Sequence, residues 1–426
     1  MTKRFGQSLS ISLVDQMVLS AFNLASNAAL IALAGAAEFG RFIFAATVIL
    51  LFTSLQNALV TTPLAIMLPG RGEADALATK RAITSFDALF RIGAGIATVL
   101  ICAMSSLEPV YLALACLATF TTLARETRRG ICFASERTAV ALRIDTLAVL
   151  FSSMFAVLFW HMLPAADAVL LAIAAGNVGA ITLAGRGLVP AHLGIRSVPA
   201  AYREVWTATR WSLFGAASSE LQHRFYVFAL EFFRGLAELG TVQAGRMLLG
   251  PMAVVVGALG RVSRPTMARL LAEGDVAGAR RIMWIGVGLT LGAGLAYCLA
   301  MLVAWRLIEP LIYKGRYPGI ELLTVAWAIY TLISVTKVAI SAYALAACRL
   351  KALAVLGINV SVITSVLLLG LGLDVPQVYP VLAMIAGEIV ALVWVIALVR
   401  GIDAESIAGP SRADAVEREH DVTLAS

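Results

Sequence analysis

The chain is poor in charge. Of its 426 residues, 14% are Asp, Glu, Lys or Arg and 60% are hydrophobic, whereas soluble domains carry about 25% charged residues. That shortage and a mean hydropathy of +0.88 exclude an ordinary water-soluble fold and point to an all-α polytopic membrane protein. Cysteine is scarce as well. The five (Cys102, Cys116, Cys132, Cys298 and Cys348) show no paired spacing, so neither a disulfide framework nor a metal site is expected. Cys132 and Cys348 fall in expected inner loops and the others in apolar segments. The four histidines (His161, His192, His223, His420) are dispersed. No GxxxxGK[ST] and no HExxH occurs, so nucleotide-driven and zinc chemistry lack their motifs. No cofactor, metal or catalytic residue is expected, and the chain reads as no enzyme. The net charge of +7 contains no basic block suited to nucleic acid. The apolar run after Lys3 and Arg4 is too long for a cleavable signal and leads straight into a second span.

What the chain has is apolar runs of bilayer length, about 20 residues each. They predict twelve transmembrane helices, at 9–34, 42–67, 85–106, 109–124, 144–163, 167–185, 211–233, 242–260, 282–304, 320–345, 353–372 and 378–399. Lys and Arg set the orientation. With both termini cytoplasmic, the inner segments hold 24 of the 33 basic residues and the outer loops hold only Arg41, Arg234, Arg306, Lys314 and Arg316. Four more (Arg91, Arg224, Arg246, Lys337) fall inside spans. The expected organisation is an N-terminal six-helix bundle (1–185), a cytoplasmic linker loop (186–210), a C-terminal six-helix bundle (211–400) and a mobile cytoplasmic tail (401–426). No outer loop is large enough for a catalytic domain.

An internal repeat runs at an offset of 200 residues. Ala37-Glu38-Phe39-Gly40 follows the first span and Ala237-Glu238-Leu239-Gly240 follows the seventh. Two six-span halves in the same orientation form a parallel repeat, a transporter architecture.

The polar residues inside the spans are the candidate site, because ionisable groups in a membrane face a bundle interior or a watery cavity. In the seventh span, Trp211–Arg234, Glu220, Arg224 and Glu231 share about 40° of the helical wheel, beside Gln222 and His223. The first span carries Ser12, Gln16, Ser20, Asn23 and Asn27 within about 80°, with Asp15 near its inner end. These amides suit either a ligand or helix–helix hydrogen bonds. The second span holds Thr53, Gln56, Asn57 and Thr61, then Pro63, which predicts a kink or a hinge. Asp87 and Arg91 form an i,i+4 pair near the inner surface. Asp145 and His161, at span boundaries, receive no role. Arg246 either snorkels outward or faces Glu220 or Glu231. In the tenth span Lys337 shares a face with Tyr330, Ser334 and Ser341. Glu388 is the lone charge of the twelfth span and the expected partner of Lys337. The substrate-binding candidates are therefore Arg224, Arg246, Lys337, Asn23, Asn27, Asn57 and His223. Glu220, Glu231 and Glu388 are candidates for coupling or counter-ion roles. Three buried basic groups suit an anionic ligand such as phosphate.

Three stretches carry a family resemblance. They are Leu13–Pro69, with LVDQMVLSAFNLASNAALIALAGAAEFGRF and LQNALVTTPL; Arg125–Asp145, with RETRRGICFASER; and Arg210–Asp275, with RWSLFG, VQAGRMLLGP and RPTMARLLAEGD. In these the chain resembles the Wzx-like polysaccharide transporters, the lipid-linked oligosaccharide flippases of the multidrug/oligosaccharidyl-lipid/polysaccharide (MOP) superfamily. The resemblance implies a MATE-like fold, with two six-helix bundles around a central cavity and the first and seventh helices flanking a lateral opening to lipid. It implies flipping of an undecaprenyl-pyrophosphate-linked oligosaccharide across the bacterial inner membrane for surface polysaccharide biosynthesis, by alternating access. Its partners would be the lipid-linked oligosaccharide, membrane lipids, a coupling ion (H⁺ or Na⁺) and polysaccharide polymerase machinery. The alternatives are a MATE-type cation-coupled drug or metabolite antiporter and, from another class, a membrane glycan polymerase or ligase. The last expects a large outer catalytic loop, and the longest here is about 305–319.

Overall fold

The computed structural model describes residues 2–68, 71–105, 107–135 and 137–408. Among them every regular element is helical. The long helices are α1 (Thr2–Leu33), α2 (Ala36–Met67), α3 (Glu73–Met104), α4 (Pro109–Ala134), α5 (Thr138–Phe159), α6 (Ala165–Ala184), α7 (Val198–Arg234), α8 (Leu236–Met247), α9 (Gly250–Ala272), α10 (Val276–Val303), α11 (Ile320–Ala346), α12 (Leu350–Leu368) and α13 (Tyr379–Ala408). Nine of the described helices are long and apolar enough to cross a membrane. The other three expected spans lie in α4, α7 and the α8–α9 stretch. This is an all-α polytopic membrane fold.

Several boundaries differ from expectation, and the reason is the same each time. Hydropathy marks where a helix meets lipid, whereas the hydrogen-bonded helix runs on past it. The fourth span was expected to end at 124, yet α4 continues to Ala134. The expected inner loop from Arg125 therefore begins as helix, and Cys132 is buried inside it rather than in a loop. The expected linker loop 186–210 is irregular only up to a short 3₁₀ turn, Ile195–Ser197; from Val198 it is helical and continuous with the seventh span. The segment 305–319, expected on the outer side, includes a helical turn, Trp305–Ile308, and a π turn, Glu309–Tyr313. Helix α13 runs to Ala408; the rest of the expected mobile tail, 409–426, lies outside the described residues. So do the side chains of 2–13, including Ser12, and that of Gln222.

By its contacts the chain forms two compact units. One holds Met1–Met247, Ile308–Ile320 and Leu371–Gln377; the other holds Leu248–Leu307, Glu321–Gly370 and the chain from Val378 onward. In the first unit the two repeat tetrapeptides meet. A Cβ on Gly40 would lie 1.8 Å from the Leu236 carbonyl oxygen, and one on Gly240 would lie 1.9 Å from that of Ala36. Only glycine permits so close a backbone approach. The repeat also reaches two residues upstream of the matched letters, past the mismatched pair Ala36 and Leu236. Gly35 (φ 94°, ψ 174°) and Gly235 (φ 82°, ψ 172°) precede α2 and α8 with the same backbone shape.

The second unit packs α9 to α13 around Met267, Met283, Tyr343, Leu356 and Val395, all buried. Asp275 starts α10 by accepting the Gly278 N–H at 2.8 Å, a side-chain N-cap.

Candidate functional site

The charged stripe of α7 exists, and it is internally paired. Arg224 Nε donates to Glu220 Oε2 one turn away, with the glutamate mostly buried and the arginine 27% exposed. Glu231 and His223 are half-buried on the same helix. Arg246, on α8, donates from Nη1 to the Tyr226 hydroxyl of α7 at 2.7 Å. Its guanidinium carbon lies 5.9 Å from that ring's centroid. A second turn of α7 thus gains a cation held by a buried aromatic, because Arg246 sits in the last turn of a helix that folds back from Gly235.

On α1, Asn23 is exposed and Asn27 half-buried. The Asn27 Oδ1 is buried with no hydrogen-bond donor among the described residues. Asn57 is exposed at the start of a π turn in α2, and its Oδ1 accepts from Thr61 Oγ1 at 2.8 Å. A cavity of about 370 Å³ borders α1, α5 and α6; Ser26, Ser152, Ser153, Trp160 and His161 are among its lining. His161, given no role from sequence, belongs there.

In the second unit, Lys337 of α11 donates to Glu388 Oε1 of α13 at 2.9 Å and lies in ion-pair contact with Oε2 at 2.7 Å. Tyr330 donates to Oε1 at 3.3 Å. Both charges are buried, at 8% and 3% exposure. Gly387 brings α13 against α12, since a Cβ there would fall 2.1 Å from the Thr364 hydroxyl. That approach fixes the height at which Glu388 enters the core. Burying this pair costs desolvation on both sides, and the close two-oxygen contact offsets it.

Sequence reading missed a larger charge cluster. Arg129 of α4 meets three carboxylates: Asp15 of α1 at 3.0 Å, Glu126 at 2.7 Å and Asp145 of α5 at 2.5 Å. Arg125 meets Glu126 at 3.0 Å and Asp145 at 3.6 Å. All five side chains are at least 85% covered. Positive-inside placement had already explained the arginines, so nothing in the sequence asked for a partner. The extension of α4 past the expected span end is what brings them into the protein. Beside the cluster, Asp87 binds Arg91 at 3.0 Å, the Gln56 amide at 2.6 Å and the Thr127 hydroxyl at 2.7 Å. The anticipated local pair is therefore also a junction of α2, α3 and α4.

No family model matches the chain, and no curated protein matches it in sequence. Solved structures do. Lipid II flippase MurJ in an inward closed conformation aligns at a TM-score of 0.74 and 10% identity, covering 92% of this chain and 87% of that one. An inward-facing multidrug resistance MATE family transporter of the MOP superfamily aligns at 0.67 and 13% identity, covering 90% and 95%. A mutant form of the Vibrio cholerae MATE transporter VcmN aligns at 0.57 and 14% identity, covering 94% and 97%. Over nearly its whole described length, this chain has the fold shared by MATE transporters and the MurJ flippase.

Proposed function

We propose that the chain is a transmembrane transporter of the MOP type that flips a lipid-linked oligosaccharide, carried on undecaprenyl pyrophosphate, from the inner to the outer leaflet of a bacterial inner membrane. Both termini lie in the cytoplasm, and the two halves 1–185 and 211–400 work by alternating access. The observation that carries this reading is the likeness to MurJ, described as a lipid II flippase, over 92% of the chain, together with the family resemblance of the three sequence stretches. Arg224 and Arg246 receive the pyrophosphate, with guanidinium forks suited to its oxygens. In the unloaded chain Glu220 is the counter-ion of Arg224, and phosphate displaces it. The amides of Asn23, Asn27 and Asn57 and the imidazole of His223 meet sugars. In the second unit the buried Lys337–Glu388 pair is the charge whose rearrangement a coupling ion drives, and Glu231 is held as a further counter-ion.

A second reading is supported by the MATE structures and the carboxylates at 220 and 388. It is a cation-coupled antiporter of drugs or metabolites.

Deleting the gene in its native host separates the two. Under the flippase reading, lipid-linked oligosaccharide accumulates in the inner leaflet and surface glycan is lost. Wild type restores the glycan and Arg224→Ala does not. Normal surface glycan in a deletion strain with no second flippase overturns the flippase reading. Lost drug tolerance in that strain supports the antiporter.

A further inference from the structure

Helix α2 is interrupted past its middle. A π turn covers Asn57–Thr61 and buried Pro63 follows. π turns and prolines are where long helices bend. Pro63 has no N–H to give to the carbonyl of Leu59, four residues earlier. The Tyr202 hydroxyl donates to that carbonyl at 2.5 Å. Tyr202 is 4% exposed, and its ring stacks on Phe86 of α3 at 4.0 Å with 11° between planes. Burial pushes the pKa of its hydroxyl up to about 12, so it remains a donor at physiological pH. On another side of the bend, a Cβ on Gly130 of α4 would lie 2.7 Å from the Thr61 methyl. The bend is therefore gripped by α3, α4 and α7.

Tyr202 lies in the segment expected to be a loop. Because α7 is a single helix from Val198 to Arg234, Tyr202 and Arg224 ride on one rod, about 33 Å apart along its axis at 1.5 Å per residue. A tilt of the charged part of α7 moves the hydroxyl on the α2 carbonyl, and a change in the α2 bend pulls on α7.

We propose that Tyr202 is a positioning residue whose hydroxyl replaces the N–H that Pro63 lacks and so ties the bend of α2 to the helix bearing Glu220 and Arg224. Its consequence for transport rests on the transporter reading; the bond itself does not.

The test is a two-by-two set, Tyr202→Phe with and without Pro63→Ala, read by hydrogen–deuterium exchange of the detergent-solubilised full chain. Phenylalanine keeps the stack on Phe86 and removes only the hydroxyl. A lost buried hydrogen bond corresponds to about fivefold to tenfold faster exchange, expected over 57–67 and 198–210 together. In the Pro63→Ala background the alanine N–H serves the Leu59 carbonyl, and Tyr202→Phe changes exchange by less than about twofold. Unchanged exchange with proline present overturns the proposal, as does an equal rise in both backgrounds. A rise confined to 57–67 overturns the tie to α7. Should Tyr202→Phe lower the yield of folded protein, Phe86→Leu, which loosens the Tyr202 ring and leaves its hydroxyl, must raise exchange in the same two segments; failure to do so also counts against it. If the deletion strain shows normal surface glycan while the exchange cycle holds, the flippase reading falls and the tie stands.

Discussion

Gly40 and Gly240 occupy equivalent places 200 residues apart, and each fits its missing side chain against the backbone of the other's turn. A Cβ on either would sit under 2 Å from a carbonyl oxygen. Neither neighbour is a flexible side chain, so α2 and α8 must part for anything larger than glycine. The repeat thus has a physical purpose beyond ancestry: two like turns, each with an extended glycine at positive φ, seat two helices in direct contact.

Gly40→Ala and Gly240→Ala are each expected to destabilise the protein by about 1–3 kcal/mol, the usual cost of overpacking. Gly35→Ala tests a separate effect, because a Cβ there meets nothing and only the backbone is strained, at a φ of 94° and ψ of 174°, by about 1–3 kcal/mol. Thermal unfolding in detergent checks all three. Equal, negligible shifts at 40 and 240 would contradict the close approach.

Arg129 holds three carboxylates from three places in the chain. Arg129→Met leaves Glu126 and Asp145 to share one cation, Arg125, and takes from Asp15 the arginine it meets; it is expected to cost about 3–5 kcal/mol. Adding Asp145→Asn to that variant removes one uncompensated charge and recovers part of the loss. Melting temperatures of the single and double variants decide this, with recovery absent if the cluster is solvated.

Lys337 and Glu388 form a buried pair, so either alone is worse than neither. Lys337→Met and Glu388→Gln should each lower stability by about 3–5 kcal/mol. The double variant should be less destabilised than the sum by about 0.5–3 kcal/mol. Additive losses would show that the two charges do not interact.

Arg246 is held by the Tyr226 hydroxyl and ring. Lys keeps the charge without the planar fork. Under the flippase reading, Arg246→Lys reduces glycan export to a level between wild type and Arg246→Ala, at equal protein abundance. Export at the wild-type level in Arg246→Ala would remove this residue from the pyrophosphate site.

Much of the fold was legible because hydropathy is a local property. Twelve apolar runs, the AEFG and AELG turns and the basic bias follow from the order of residues alone, and so does the expectation of a kink at Pro63. Lys337 and Glu388 were also matched from sequence, because a lone central charge in an apolar helix has few places to find its opposite. The same reasoning failed at Arg129. Its partners Asp15 and Asp145 lie on other helices, and an arginine near a span end looks sufficient as a topology signal. It failed again at 198–210, where polar letters indicate water contact and say nothing of whether the backbone stays helical. The sequence by itself determined a polytopic helical membrane protein, its repeat and the polar faces of its spans, since each is set by short-range pattern. Which charges meet, how closely the two repeat glycines approach and which side chain serves the carbonyl before Pro63 were decided only by tertiary structure, because each depends on the distance between helices far apart in the chain.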